Sequence, residues 1–202
     1  MRWFLREYLE SNILEYLKLI IILAITVIVA ILVVNNSSSE KEEIKSFIDS
    51  KIDVIKLSSD IERGTLFRKT LDSELKEYFV VAFLASSVVG LPFAYLIIVR
   101  RIFSIGYSIS AVFATQSIRT SIIFICNSLL FHNIIYMISL FLVLVAGINF
   151  VKLMLRRDKI NLKHEIIKFL IFVLLGCALI TISSLVQAYV FANCLNLLKK
   201  YL

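Results

Sequence analysis

The side chains that could do chemistry in this chain are few and scattered. His132 lies within an apolar stretch, and Ser128, one helical turn earlier, would make with it a nucleophile–base pair of the acyl-transfer kind. Such a pair needs a third group to orient the imidazole and donors for an oxyanion. The sequence offers neither, so a histidine at a helix break, hydrogen-bonded to backbone, is the simpler reading. His164–Glu165 opens a zinc-protease motif, but Lys168 stands where the second histidine is needed. Cys126, Cys177 and Cys194 show no metal-ligand spacing. No aspartate or glutamate occurs between Glu77 and Asp158. Membrane-embedded acids are the usual proton relays and ion ligands of carriers, so this gap argues against a carboxylate-coupled carrier and an intramembrane aspartyl protease. Asn127, Asn133, Asn149 and Gln187 read as interhelical hydrogen-bonding groups; lining a polar path is the alternative. The residues therefore predict no enzyme, no metal and no cofactor.

The elements that must position these residues are membrane helices. Of 202 residues, 59% are hydrophobic, and the mean hydropathy is +0.89; a soluble domain has about 45–50% apolar residues. The apolar residues fall in long blocks, and about 20 such residues cross the hydrocarbon layer as a helix. Runs such as Leu19–Val34 lack the alternation of a barrel strand. The net charge of +7 is carried by basic residues beside the apolar blocks, as orientation signals are; it points to a lipid bilayer and not to nucleic acid.

The fold expected is an all-α integral membrane protein with about five transmembrane helices. Residues 1–18 read as an N-terminal interfacial helix and uncleaved anchor, and 19–34 as the first span. Residues 35–78 form an extracytoplasmic helical segment with eight basic and ten acidic residues. Within it Ile44, Ile48, Ile52 and Ile55 recur at helical spacing. Gly64 breaks that helix, and Phe67, Leu71, Leu75 and Tyr78 share one face of the next. These apolar faces are the candidate partner contact. That second helix is expected to run unbroken into a span over 79–99.

Residues 79–202 read as a compact helical core. After Arg100–Arg101, read as a cytoplasmic loop, come a span over 102–118, a re-entrant half-helix over 121–131, and spans over 134–151 and 166–191. Counting basic residues puts the 152–168 stretch inside, with the N-terminus. Small residues that let membrane helices approach recur every four positions at Ala82, Ser86, Gly90 and Ala94. A second stripe holds Gly106, Ser110, Ala114 and Ser117, and a third holds Ser184, Ala188 and Ala192. The first span has no such run and is expected at the edge. Pro92 predicts a kink in the second span.

The same residues carry a resemblance. Gly90-Leu91-Pro92, the basic pair Arg100–Arg101 and Gly106-Tyr107 resemble the signature of the stage II sporulation protein M family. Phe131-His132-Asn133 falls where that family has a Pro-x-Asn element. Gln187-Ala188-Tyr189 falls where it has an acidic-Ala-aromatic element. The layout of anchor, outside segment and four hydrophobic blocks is similar to the family over nearly the whole chain. What the resemblance implies is a non-enzymatic scaffold in the cell membrane, at the sporulation septum and the engulfing mother-cell membrane. Its partners would be stage II sporulation proteins D and P, which degrade peptidoglycan. The alternative is a permease-like subunit working with a cytoplasmic ATPase through the 152–168 stretch.

Overall fold

The computed structural model of the chain describes residues 12–36, 63–115, 117, 118, 121, 122, 125, 131–155 and 162–201, with side chains described as far as 189. These residues form five helices, with no strand among them. We number them α1 (Ile13–Asn36), α2 (Arg63–Ala85), α3 (Gly90–Thr115), α4 (Phe131–Leu155) and α5 (Leu162–Tyr201). All but α2 are long and apolar enough to cross a membrane, α5 over Lys163–Tyr189. The chain is thus an all-α, multi-pass membrane protein. The candidate contact residues Ile44, Ile48, Ile52 and Ile55 and seven of the eleven residues of the expected half-helix lie outside the described residues.

Several expected boundaries move. The interfacial helix and first span are continuous from Ile13, with no break at 18. Arg63 to Tyr78 belongs to the same helix as the apolar residues up to Ala85, so 78 is no boundary. The expected span 79–99 does not exist as one helix. The chain turns at 86–89, and α3 runs through Arg100–Arg101, which stand near its middle and not in a loop.

The turn has a local cause. Two serines interrupt the apolar run, and the Ser86 hydroxyl bonds back to the carbonyl of Phe83 at 2.7 Å. Ser87 starts the next helix: its Oγ accepts from the backbone N–H of Gly90 at 3.0 Å, and its carbonyl accepts from Leu91 at 3.1 Å. A Cβ at Gly90 would fall 2.5 Å from that Oγ, so only glycine fits under the cap. Pro92 then lies in the first turn of α3, where its missing N–H forgoes at most one bond, to the carbonyl of Val88 in the turn. The expected kink is replaced by a helix start. The four-residue stripe is likewise divided, Ala82 on α2 and Ala94 on α3 being buried while Ser86 sits in the turn.

Contacts along the helices fix their directions. Glu74 meets His132 and Ala85 meets Gly147, so α2 and α4 run together. Ser183 bonds to His132 while Phe169 stacks on Phe150, so α5 runs against α4. Gly106 faces Val27 and Ala30, and Glu15 pairs with Lys152, which sets α1 beside α3 and against α4. The start of α1, the 86–89 turn, the end of α4 and the start of α5 thus share one end of the bundle. The described basic residues Lys152 and Lys163, beside those helix ends, belong to it.

Helix α4 is the hub, with most of its length from His132 to Val151 buried. Only glycine at 147 lets α2 approach, since a Cβ there would stand 2.5 Å from Ala85. Helix α1 buries the single stripe Leu19, Thr26, Ala30 and Val34, leaving the other faces of its apolar length open to lipid.

Candidate functional site

Helix α2 buries Glu74, Tyr78, Val81, Ala82 and Ala85, a stripe at helical spacing. The stripe is apolar except at its upper end, where Glu74 is only 3% exposed. An acid taken out of water must be paired or neutralised, and Glu74 is met from three helices. His132 Nε2 of α4 lies 2.9 Å from its Oε1. The Ser184 hydroxyl of α5 lies 3.4 Å from its Oε2 and 3.0 Å from the Ile180 carbonyl, two acceptors for its single proton. Arg101 of α3 brings Nη2 to within 3.8 Å, an ion pair without a hydrogen bond.

One turn along, Glu77 completes the group. Arg101 Nη1 donates to its Oε2 at 3.4 Å and the Tyr136 hydroxyl donates to the same oxygen at 3.0 Å. The guanidinium also lies over the Tyr136 ring, 4.8 Å from its centroid, in cation–π geometry. Ser183 ties the His132 backbone to α5 by donating to its carbonyl at 2.9 Å. Four helices therefore converge on two carboxylates, one guanidinium and one imidazole. Two polar atoms in the group, His132 Nδ1 and Arg101 Nε, are buried without a hydrogen-bond partner.

Beneath the group, Tyr78 fastens α2 to α5. Its side chain is fully buried, and its hydroxyl donates to the Val173 carbonyl at 3.0 Å. Gly176 makes room for it: a Cβ there would lie within 2.9 Å of three atoms of the tyrosine. On its outward face α2 is charged, with Arg68, Lys69, Asp72 and Lys76 exposed and Lys76 paired to Asp72. Arg100, next to Arg101, is exposed as well.

The arrangement corrects the expectation that the core lacks acids. The apolar blocks contain none, but α2 carries two in from the charged segment. The signal was available: Glu74 sits three residues after Leu71 and four before Tyr78, on the face read as apolar. His132 is oriented after all, by Glu74. It is not half of a nucleophilic dyad with Ser184, whose hydroxyl contacts the carboxylate instead of the imidazole. Ser128 lies outside the described residues, and no cluster of three metal-binding side chains occurs among them.

The other expected residues scatter. Gly106 and Ser110 are buried on α3, whereas Ala114 and Ser117 are exposed. Tyr107, Phe67 and Leu71 are half-buried. Asn133 is buried beside His132, and Ala188 is buried while Tyr189 is exposed. The Gln187 Oε1 is buried without a partner, and Asn127 lies outside the described residues. The polar group thus joins Arg101, His132 and Ser184, which lie in the expected motifs and stripe, to Glu74, Glu77, Tyr136 and Ser183, which do not.

The family described as stage II sporulation protein M matches residues 19–190. No curated protein and no solved structure matches the chain.

Proposed function

The chain belongs to the stage II sporulation protein M family, and from that membership we propose that it is a non-enzymatic scaffold which holds peptidoglycan-degrading enzymes at the sporulation septum. The enzymes are stage II sporulation proteins D and P, and the work served is septal wall thinning and engulfment. The observation that supports this reading is the build of α2. One face is locked into the core by Glu74, Tyr78 and Ala85, while the other presents Arg68, Lys69, Asp72 and Lys76. A helix fixed on one side and charged on the other is a rigid mount for the segment that precedes it. The imidazole of His132 is held against Glu74, which suits a structural tie.

The test is co-purification of the tagged full chain from sporulating membranes in mild detergent. Recovery of both wall-degrading proteins is expected from the wild type. It should be lost when Arg68, Lys69 and Lys76 are all changed to Glu, or when 37–62 is replaced by a neutral linker, with the core still folded. Recovery of a cytoplasmic ATPase without those proteins would overturn the scaffold and favour the permease-like subunit.

A further inference from the structure

The apolar outer surface of the bundle is not equally deep on all sides. Helix α1 exposes large apolar side chains from Ile13 to Val33, and α5 from Ile166 to Tyr189. Each therefore presents a belt long enough for the hydrocarbon layer. On the side of α2 and α3 the belt stops half-way. Helix α2 exposes Phe79, Val80 and Phe83 but, among the described residues, no large apolar side chain before Phe79. What it exposes there is charged, from Lys76 and Asp72 to Lys69 and Arg68. Helix α3 changes in step: Phe93 and Leu96 are exposed, and the next exposed residues are Arg100 and Ser104.

Contacts fix the depth of this change. Tyr78 donates to the Val173 carbonyl and sits against Gly176, at the middle of the span Lys163–Tyr189. From Gly176 to Tyr189 is about 20 Å of helix at about 1.5 Å per residue. Lys76, half a turn from Tyr78, thus lies far below the outer end of that span, the end at which α2 begins. On the other flank Gly106 faces Ala30, which puts Ser104 level with Ile28. Ile28 is 57% exposed within the apolar length of α1. At one level, then, α1 meets hydrocarbon while α3 offers a hydroxyl and, one turn deeper, a guanidinium.

Charged side chains at such a depth draw water and headgroups inward, and a short apolar belt thins the bilayer beside it. We propose that the outer face of α2 and α3 binds anionic phospholipid headgroups below the surrounding bilayer surface, with Lys76 and Arg100 as the deepest contacts. The face has the pattern of one phospholipid along its length. Lys76 and Arg100 stand at the level of the phosphate, and Phe79, Val80, Phe83 and Leu96 continue below, where the acyl chains lie. The guanidinium matches a phosphate with two parallel hydrogen bonds. Lys69 and Arg68 carry the basic face on toward the rim, and Asp72 pairs with Lys76 within it. The inference concerns the chain in lipid, whatever proteins the scaffold holds, and its test contains none of them.

The full chain is placed in nanodiscs of mixed phosphatidylcholine and phosphatidylglycerol, and the lipids still bound after release are identified by native mass spectrometry. The wild type should keep phosphatidylglycerol in preference to phosphatidylcholine. Lys76→Gln and Arg100→Gln, both at exposed positions, should each lower that retention about fivefold, the effect of one basic residue at an anionic surface. No preference in the wild type, or a retention that both variants keep, overturns the proposal. Depth is read separately from spin labels at Ser104→Cys and Ile28→Cys, in a chain whose three native cysteines are alanine. The label at 104 should be reached by a water-soluble nickel chelate, and the label at 28 by oxygen alone. Two labels equally sunk in hydrocarbon would overturn the proposal. A label at 104 reached by neither reagent would overturn it too, since protein would then cover the face.

Discussion

Replacing Gly176 by Ala tests the contact on which the site depends, the docking of α2 against α5. The added Cβ would stand 2.5 Å from Tyr78 Cζ and closer still to its hydroxyl. Tyr78 is fully buried and has no room to yield. The ring must shift, straining the packing and breaking the bond from its hydroxyl to the Val173 carbonyl. Overpacking costs about 1–3 kcal/mol, and a buried donor left unmet costs about 1–3 kcal/mol. Together these give a loss of roughly 2–6 kcal/mol if the two are taken as independent. A reversible unfolding equilibrium of the membrane-embedded chain, such as steric trapping in bicelles, would measure it. The same substitution in a Tyr78→Ala background should cost about 1 kcal/mol or less, since the methyl enters the emptied space; the cycle then shows a coupling of roughly 1–6 kcal/mol, the difference between the two losses. A loss below about 1 kcal/mol for Gly176→Ala alone, or additive effects in the cycle, would refute the packing of Tyr78 on α5.

Other expectations can be read in the same unfolding assay. Ser87→Ala, which removes the cap of α3, should cost about 1 kcal/mol. Pro92→Ala should cost no more than about 1 kcal/mol, through the unfolded chain alone, and leave the axis of α3 unchanged in spin-label distances; a straightened or lengthened helix would contradict its place in the first turn. His132→Ala strips Glu74 of its nearest partner and should cost about 3–5 kcal/mol, whereas His132→Gln, which can still donate to Glu74, should lose less than half as much; equal losses would refute the contact. Reversing Glu15 to Lys should cost about 1 kcal/mol or less, as befits an ion pair at the bundle end, and Lys152→Glu in the same chain should restore it.

The apolar blocks made the helical membrane class legible, because hydrophobic length is a local property of the sequence. The turn at 86–89 was not, because Ser86 and Ser87 in an apolar run look the same whether they line a helix contact or end the helix. The cap from Ser87 to Gly90 distinguishes the two, and it depends on backbone geometry. Arg100–Arg101 read as a loop since two arginines interrupt any hydropathy window; what keeps Arg101 inside a helix is Glu77 and Tyr136. Glu74 was hidden by counting acids within the apolar blocks and not along the face of the helix that precedes them. Its partners lie 58 and 110 residues away, and pairings at that range leave no periodicity to find. His132 was singled out correctly as unusual, but its role came from Glu74, on the part of α2 assigned to the outside.

The arginine pair in the middle of α3 also bears on how the chain is made. At about 1.5 Å per residue, Arg101 stands some 17 Å along the helix from Gly90, near the depth where a lone arginine costs about 2.5–3.5 kcal/mol to insert. The glutamates that compensate Arg101 are on the helix synthesised just before it. Helices α2 and α3, joined by a four-residue turn, therefore favour leaving the translocon as one hairpin with its charges already paired. A nascent chain would then hold α2 back at the exit until α3 has emerged, and the chain order of acid before base becomes part of the assembly programme.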